Sequence, residues 1–333
     1  MRFVVILMTS VLAGCATNNQ GVNHCEKLYC YSLADYWEQD PAGFDRARAF
    51  ANKTAIYAVY SANVYDKPEA EQKEIFLPTN EYNREILHYK GIDTETGFRA
   101  KAWLRYRYGK EQSEDPILVF AFRGTDNFPD WIAGNLRMFN SSSNDQFKSA
   151  KKYKRLVLRY LYEHNLSFSK IIFTGHSLGG GLAEFMQTIT PNSEAIVFMS
   201  SPNNGYIYSF TDYDIRGELN SLRVYEKGEI LNALRLISTP DFDYDEWPDA
   251  QDNIKTAWIN FFTWTLLADH GIHDFTMQLL QAAEAEGNCS AQSVINKINQ
   301  AYNAKIKLRM NETNRARCSA GDYETENKVY SGR

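Results

Sequence analysis

No stretch of this chain approaches the roughly 20 consecutive apolar residues that a membrane-spanning helix needs, so nothing in it is expected to cross a bilayer. Basic residues are not in excess: 36 Lys and Arg stand against 41 Asp and Glu, for a net charge of −5. That argues against a nucleic-acid partner, because polyanion binding runs on clustered basic surface. Proline and glycine are sparse, at nine and nineteen in 333 residues. No Pro/Gly-rich linker, low-complexity tract or internal repeat is visible. The balance of 44% hydrophobic and 23% charged residues is near the globular average and excludes disordered and fibrous classes. What the chain does have in quantity is aromatic, with 21 Tyr and 19 Phe. Its length suits one large domain or two ordinary ones.

Cysteine is also scarce, at five residues. The first follows an apolar run from Phe3 to Ala13, interrupted only by Thr9 and Ser10 and preceded by Arg2. That run is too short to span a membrane and is laid out as a secretory signal. It ends in Leu12-Ala13-Gly14-Cys15, which resembles the bacterial lipobox. The resemblance implies removal of residues 1–14, acylation of Cys15 and attachment to a membrane by lipid, a stable anchor when several acyl chains are present. Losing Arg2 takes the net charge from −5 to −6. Ala16 follows where an Asp would mark inner-membrane retention, so the expectation is an outer-membrane lipoprotein of a Gram-negative bacterium. A plain secretory peptide that happens to contain a Cys is the alternative. Residues 15–43 then form a lipidated tether and N-terminal segment.

Cys25, Cys30, Cys289 and Cys318 remain. In an exported chain four cysteines suggest two disulfides, with three pairings open. Cys25 with Cys30 and Cys289 with Cys318 keeps each loop local. Metal ligation would need His partners, and His24 beside Cys25 is too little for a zinc site.

Hydrophobic periodicity predicts a helix over Phe44–Tyr60 and another over Gln146–Asn165. The second turns Phe147, Ala150, Tyr153, Val157, Tyr160 and Leu161 inward. Its outer face carries Lys148, Lys151, Lys152, Lys154, Arg155 and Arg159, which reads first as a solvated stripe and second as a contact for anionic head groups. Alternating segments at Glu85–Tyr89 and Phe98–Tyr108 flank a turn signal over Asp93–Gly97 and suggest a hairpin. Ile117–Phe122 is a continuous apolar run, as expected of a strand covered on both faces. Further strand-like runs at Ile171–Thr174, Ala195–Ser200 and Leu222–Tyr225 alternate with helical or loop material. That pattern implies βαβ units, a mostly parallel sheet and a single α/β domain.

The chemistry concentrates in Gly175-His176-Ser177-Leu178-Gly179, a G-x-S-x-G pattern. Glycines flank the Ser because it occupies a strained turn from strand to helix, where larger residues would clash. An apolar run precedes this segment and the helix-forming Leu182–Gln187 follows, so Ser177 is the candidate nucleophile. In chain order the elbow is followed by an acid and then a His. Histidines occur at 24, 88, 164, 176, 270 and 273. Only His270 and His273 lie beyond Ser177, so one of the two is the candidate base.

Phe122-Arg123-Gly124-Thr125 closes the apolar strand, and Asp126-Asn127-Phe128-Pro129-Asp130-Trp131-Ile132 follows it. Together with the Ser177 elbow this resembles the fungal-type class 3 lipases, which have the α/β-hydrolase fold. Thr125 and Ser177 lie 52 positions apart (177 − 125), a spacing in keeping with that pattern. The resemblance spans residues 44–285. It implies a central sheet flanked by helices and a lid carrying Phe128, Trp131 and Ile132. Thr125 and Leu178 become the oxyanion-hole N–H donors. His270 becomes the base, since His270-Gly271-Ile272-His273-Asp274-Phe275 is similar to the family's histidine segment, with Asp274 capping a helix that starts near Phe275. Glu229 takes the place of the usual triad Asp, with Asp241, Asp243 and Asp245 as competitors.

Ala257–Leu267 is not explained by the resemblance. It reads as a core helix, or else as an acyl-chain pocket or membrane-facing surface. Residues 286–333 form a C-terminal extension, expected to pack on the same domain. The function implied is a serine hydrolase of lipid carboxylic esters, of lipase or phospholipase A type, using no metal and no cofactor. Its partners would be a lipid ester and, through Cys15, a membrane. A short-chain esterase or acyltransferase, a catalytically inactive lipid-binding lipoprotein and, more remotely, a serine peptidase are the alternatives.

Overall fold

The computed structural model describes residues 41–65, 83–86, 91–93, 96–106, 116–124, 142–201, 220–226, 254–259, 271–302, 306 and 308–319. Its elements, in chain order, are α1 (Pro41–Asn63), β1 (Asn83–Glu85), β2 (Gly91–Asp93), β3 (Phe98–Arg105), β4 (Ile117–Phe122) and α2 (Ser142–Glu163). There follow β5 (Lys170–His176), α3 (Leu178–Thr188), β6 (Ser193–Phe198), β7 (Ser221–Glu226) and β8 (Ile254–Ile259). The chain continues through α4 (Ile272–Ala285), α5 (Cys289–Tyr302) and α6 (Glu312–Ser319). The strands make one sheet in the order β1-β3-β4-β5-β6-β7-β8, with β2 also on β3. Strands β4 to β8 are parallel, and β1, β2 and β4 each run antiparallel to β3. This mostly parallel sheet, covered by helices and turning from β5 directly into α3, is an α/β-hydrolase fold.

Parallel strands must be covered on both faces, which is why Ile117–Phe122 and Ile171–Phe173 are unbroken apolar runs. Successive side chains divide between the faces. On one side Val119, Ala121, Ile172, Ile196 and Phe198 pack with α1, α4 and α5. On the other Leu118, Phe120, Phe173, Ala195 and Val197 pack with α2 and α3. Helix α1 is buried on nearly every side beyond Ala55, because it lies between the sheet and α4. Its Ser61 hydroxyl meets the Thr174 hydroxyl of β5 at 2.8 Å, and its Tyr60 ring lies 4.9 Å from Trp103 of β3. The basic face of α2 is partly tied down, on its own surface and to the chain just after α3. Lys148 pairs with Asp145, Arg159 with Glu163, and Lys154 donates to Thr190.

Three local expectations are corrected. The hairpin turn lies where predicted, and Gly97 takes φ +70° in it. The strand that enters it is Gly91–Asp93, however, while Asn83–Glu85 pairs with the far end of β3. A tight turn fixes its nearest residues as partners, so the segment adjoining it pairs first. Ala257–Ile259, read as helical, belongs instead to β8 and pairs with Val224–Glu226 of β7. A short apolar run does not distinguish the two states by periodicity, and the open edge of β7 decides it by offering unpaired backbone groups. Helix α4 starts at Ile272, with Gly271 as N-cap, so Asp274 lies inside the first turn and does not cap it.

The C-terminal part is held by polar side chains as well as by apolar burial. Ala291, Val294, Ile295 and Ile298 of α5 join the α1–α4 cluster, each larger one adding about 1.5–3 kcal/mol by burial. The Glu284 carboxylate accepts the N–H groups of Arg309 (2.8 Å) and Met310 (2.9 Å). Asn299 both donates to the Ile306 carbonyl and accepts its N–H, each at 2.9 Å. Cys289 and Cys318 form the disulfide expected of them. Cys25 and Cys30 lie outside the described residues.

Helix α3 is joined to β7 by a buried ion pair. Arg223 Nε lies 2.5 Å from Glu184 Oε1 and Nη2 3.1 Å from Oε2, while Ser221 donates to Oε1 at 2.8 Å. Burial works against the Arg223 charge, and the Glu184 carboxylate more than offsets it, so the guanidinium is held protonated more firmly than usual. Glu184→Ala is therefore expected to cost about 3–5 kcal/mol in urea unfolding, since it strands a buried cation. Glu184→Leu combined with Arg223→Met should recover most of that loss.

Candidate active site

Strand β5 ends at His176 and α3 begins at Leu178, leaving Ser177 alone in the turn with φ 56° and ψ −126°. Positive φ is costly for a residue with a Cβ, about 1–3 kcal/mol, and persists only where the surroundings enforce it. Here Ser177 N–H donates to Phe198 O at 3.1 Å. Its carbonyl in turn accepts from Ser201 N–H at 2.9 Å and Gly180 N–H at 3.0 Å. The flanking glycines explain themselves by distance. A Cβ on Gly175 would sit 2.3 Å from Gly179 O, and one on Gly179 would sit 2.1 Å from Phe122 O at the end of β4. A Cβ on Gly180 would meet the Ser200 Cβ at 2.6 Å. The motif records three backbones crossing at van der Waals contact.

Ser177 is 4% exposed, and Leu178, the first residue of α3, is partly exposed. The N–H groups of a helix's first turn have no acceptor within the helix, and its dipole favours negative charge there. A hydroxyl at this point can attack an electrophile while charge develops beside those donors.

The end of β4 closes one side of Ser177. A Cβ on Gly124 would lie 3.1 Å from the Ser177 Cβ and 2.7 Å from both His176 O and the Tyr65 hydroxyl. Gly124 N–H donates to the Tyr65 hydroxyl at 3.0 Å, and that hydroxyl shares a second hydrogen bond with His176 Nδ1 at 2.8 Å. The Tyr65 ring also stands 6.3 Å from the ring of His273, the second residue of α4. The start of α4, just after His270 in sequence, therefore lies beside the elbow.

Strand β7 approaches from the other side. Met199 N–H donates to Val224 O at 2.8 Å, and the Ser200 and Tyr225 hydroxyls lie 3.0 Å apart. The next residue, Glu226, ends the strand and is only 1% exposed.

Of the candidates read from the sequence, Ser177 and Leu178 are brought together here. Thr125, Glu229 and His270 lie outside the described residues, as do Asp241, Asp243, Asp245, the lid residues Phe128, Trp131 and Ile132, and Cys15. Sequence reasoning missed Tyr65, Gly124's contact with Ser177, and Glu226. A charged residue closing an apolar strand was a usable signal for Glu226. Tyr65 had none, since its partners are 59 and 111 positions away. Among the described residues no three His, Cys, Asp or Glu side chains gather as metal ligands, and no helix is long and apolar enough to cross a membrane.

Asp274 is the third residue of α4. Burial pushes its carboxyl up to about 6, against the pull of the helix dipole towards the charged form. The folded state thus bears a cost for ionising it. That cost is absent below the ordinary carboxylate range near pH 4, grows as pH rises from about 4 to 6, and is complete above. Asp274→Asn should stabilise the protein by about 1–2 kcal/mol at neutral pH, since solvent screens part of the cost at this partly exposed carboxyl. The gain in melting temperature should vanish by about pH 3.5.

Residues 56–204 match the family model of the Tle-like phospholipase domain. The match contains both Phe122–Thr125 and Gly175–Gly179 and agrees with the class 3 lipase-like resemblance. Two solved structures that are similar are a Rhizomucor miehei lipase propeptide complex and lipase II from Rhizopus niveus. The first is 14% identical with a TM-score of 0.32, covering 67% of this chain and 75% of its own. The second is 16% identical with a TM-score of 0.33, covering 63% and 79%. No curated protein matches.

Proposed function

We propose that this chain is a serine hydrolase of lipid carboxylic esters, of lipase or phospholipase A type. One observation carries the proposal: a serine at positive φ between a parallel strand and a helix, in contact with the F-R-G-T strand end, within a segment matching a phospholipase domain. The domain match supports lipid hydrolysis as the general activity.

In the proposed mechanism Ser177 Oγ attacks the acyl carbonyl carbon while His270 takes its proton. The Thr125 and Leu178 N–H groups receive the oxyanion. Two such donors, fixed before the reaction, contribute several kcal/mol because they need no reorganisation as charge appears. Collapse expels the alcohol, a lysolipid or a glyceride, which leaves with the proton from His270. Water, deprotonated by the same His, then releases the fatty acid from the acyl-Ser177 ester. Glu229 orients the imidazole and stabilises its charged form. His270 precedes the N-cap of α4, where a loop can carry a ring to Ser177. His273 is inside the helix with its ring beside Tyr65, which suits packing.

The test uses one soluble ester, phospholipid vesicles and a fluorophosphonate probe. Ser177→Ala should abolish hydrolysis and labelling with its circular dichroism unchanged, and labelling that persists in this variant refutes the proposal. On the same ester, His270→Ala should lose turnover by at least about 1,000-fold, whereas His273→Ala should retain most of it.

Membrane attachment through acylated Cys15 is the second half of the proposal. Cys15→Ser should shift the protein from the membrane fraction to the soluble fraction or leave it uncleaved. Membrane partition equal to wild type would show that Cys15 is not the anchor.

A further inference from the structure

We infer that Tyr65 is a positioning residue for the oxyanion side of the site, its hydroxyl setting the separation between the end of β4 and the Ser177 elbow. The inference rests on the serine-hydrolase reading above and assigns a role that the motif residues do not supply.

Strands β4 and β5 are paired from Ile117 and Lys170 as far as Phe122 and Gly175. Beyond that point the ladder stops. Gly124 and His176, which lie just past it, have no rung of their own between them. The Tyr65 hydroxyl bridges them instead, accepting the Gly124 N–H at 3.0 Å and hydrogen-bonding His176 Nδ1 at 2.8 Å. It comes from a third part of the chain, two residues past the end of α1, and Tyr65 is 9% exposed. The bridge acts where tolerance is smallest. Gly124 is close enough to Ser177 that a Cβ on it would lie 3.1 Å from the Ser177 Cβ. Its carbonyl carbon bears the N–H of Thr125, the proposed donor. Oxyanion donors work only when fixed where the oxygen will be, and a displacement of about 1 Å can cost 100-fold in rate.

A purely architectural tyrosine would fill space between α1, β5 and α4, and phenylalanine would serve. Ser61, in the last turn of α1, provides a control four residues earlier. Its hydroxyl is buried and bonded to Thr174 of β5 at 2.8 Å, two residues short of His176. Removing it also takes a buried hydrogen bond from the α1–sheet interface, away from the elbow.

Purified full chains of wild type, Tyr65→Phe and Ser61→Ala would be compared for kcat and KM on one soluble ester, for the fluorophosphonate labelling rate at Ser177 and for melting temperature. Tyr65→Phe should lower kcat and the labelling rate together by about 10–100-fold, with KM changed less than about threefold. Ser61→Ala, at a comparable loss of melting temperature, should keep the wild-type kcat. Tyr65→Phe that is folded and retains kcat within about twofold of wild type overturns the inference. So does a kcat loss equal in the two variants. Should Tyr65→Phe not fold, a fluorinated tyrosine at position 65 keeps the shape while weakening the hydroxyl as an acceptor. A several-fold fall in labelling rate then supports the role, and an unchanged rate overturns it. Wild type that is neither active nor labelled at Ser177 would remove the hydrolase reading itself. Active wild type beside an unaffected Tyr65 variant removes this inference alone.

Discussion

Three stretches of backbone meet at Gly175, Gly179 and Gly124 more closely than any side chain permits. A Cβ at Gly179 would stand 2.1 Å from the Phe122 carbonyl, and one at Gly175 would stand 2.3 Å from Gly179's own. Helix α3 can rest on β4 and β5 at that range only because the contacting positions carry hydrogen alone. The approach forces the chain to reverse within a single residue, and Ser177 takes positive φ as the consequence. The strain of about 1–3 kcal/mol is offset by the hydrogen bond Ser177 N–H donates to Phe198 O and by those its carbonyl accepts from Ser201 and Gly180. The position of Ser177 is thus set by backbone packing from three directions, and its own side chain contributes little to it.

The rest of the molecule keeps those backbones where they are. Helix α1 is buried between the sheet and α4, and its last turn leads directly to Tyr65. Helix α3 is fastened on its far side by the Glu184–Arg223 pair, which ties it to β7 and hence to the strand that brings Glu226 to the sheet's edge. Helix α4, which follows the histidine segment, is backed by α5. The chain beyond α5 is held through Glu284, Asn299 and the Cys289–Cys318 disulfide. Polar groups make these junctions because each must be specific in direction. Apolar burial then supplies most of the free energy.

This arrangement separates tasks that lipid ester cleavage has to combine. Ser177 is almost wholly buried, so in the proposed reaction the charge that develops beside it would be stabilised by fixed peptide dipoles in place of water. The parallel sheet brings the ends of β4, β5, β6 and β7 to one edge, where ligands bind in open α/β sheets. Strands β4 and β7 both end at that edge, and Thr125 and Glu229 follow them closely in the sequence.

The sequence by itself determined the elements whose cause is local. The unbroken apolar runs of β4 and β5 announce strands covered on both faces, and the glycine spacing around Ser177 announces a turn that excludes Cβ atoms. Phe122–Thr125 and the elbow together carried the lipase-like resemblance, and both lie within the segment that matches a phospholipase domain. Cys289 and Cys318 lie 29 positions apart, near enough for their pairing to be inferred. Tertiary structure decided what depends on partners distant in the chain. Ala257–Ile259 became a strand because β7 had an edge to offer. Gly91–Asp93 displaced the longer Glu85–Tyr89 run because turn geometry fixes register. Helix α4 began three residues earlier than its polar residues suggested, since Ile272 and Phe275 are both buried in the core. Tyr65 carries no motif, and its place between Gly124 and His176 follows from α1 being packed across the sheet. Periodicity and spacing record forces along the chain, whereas a hydroxyl bridging two strand ends depends on contacts made only once the layers have closed.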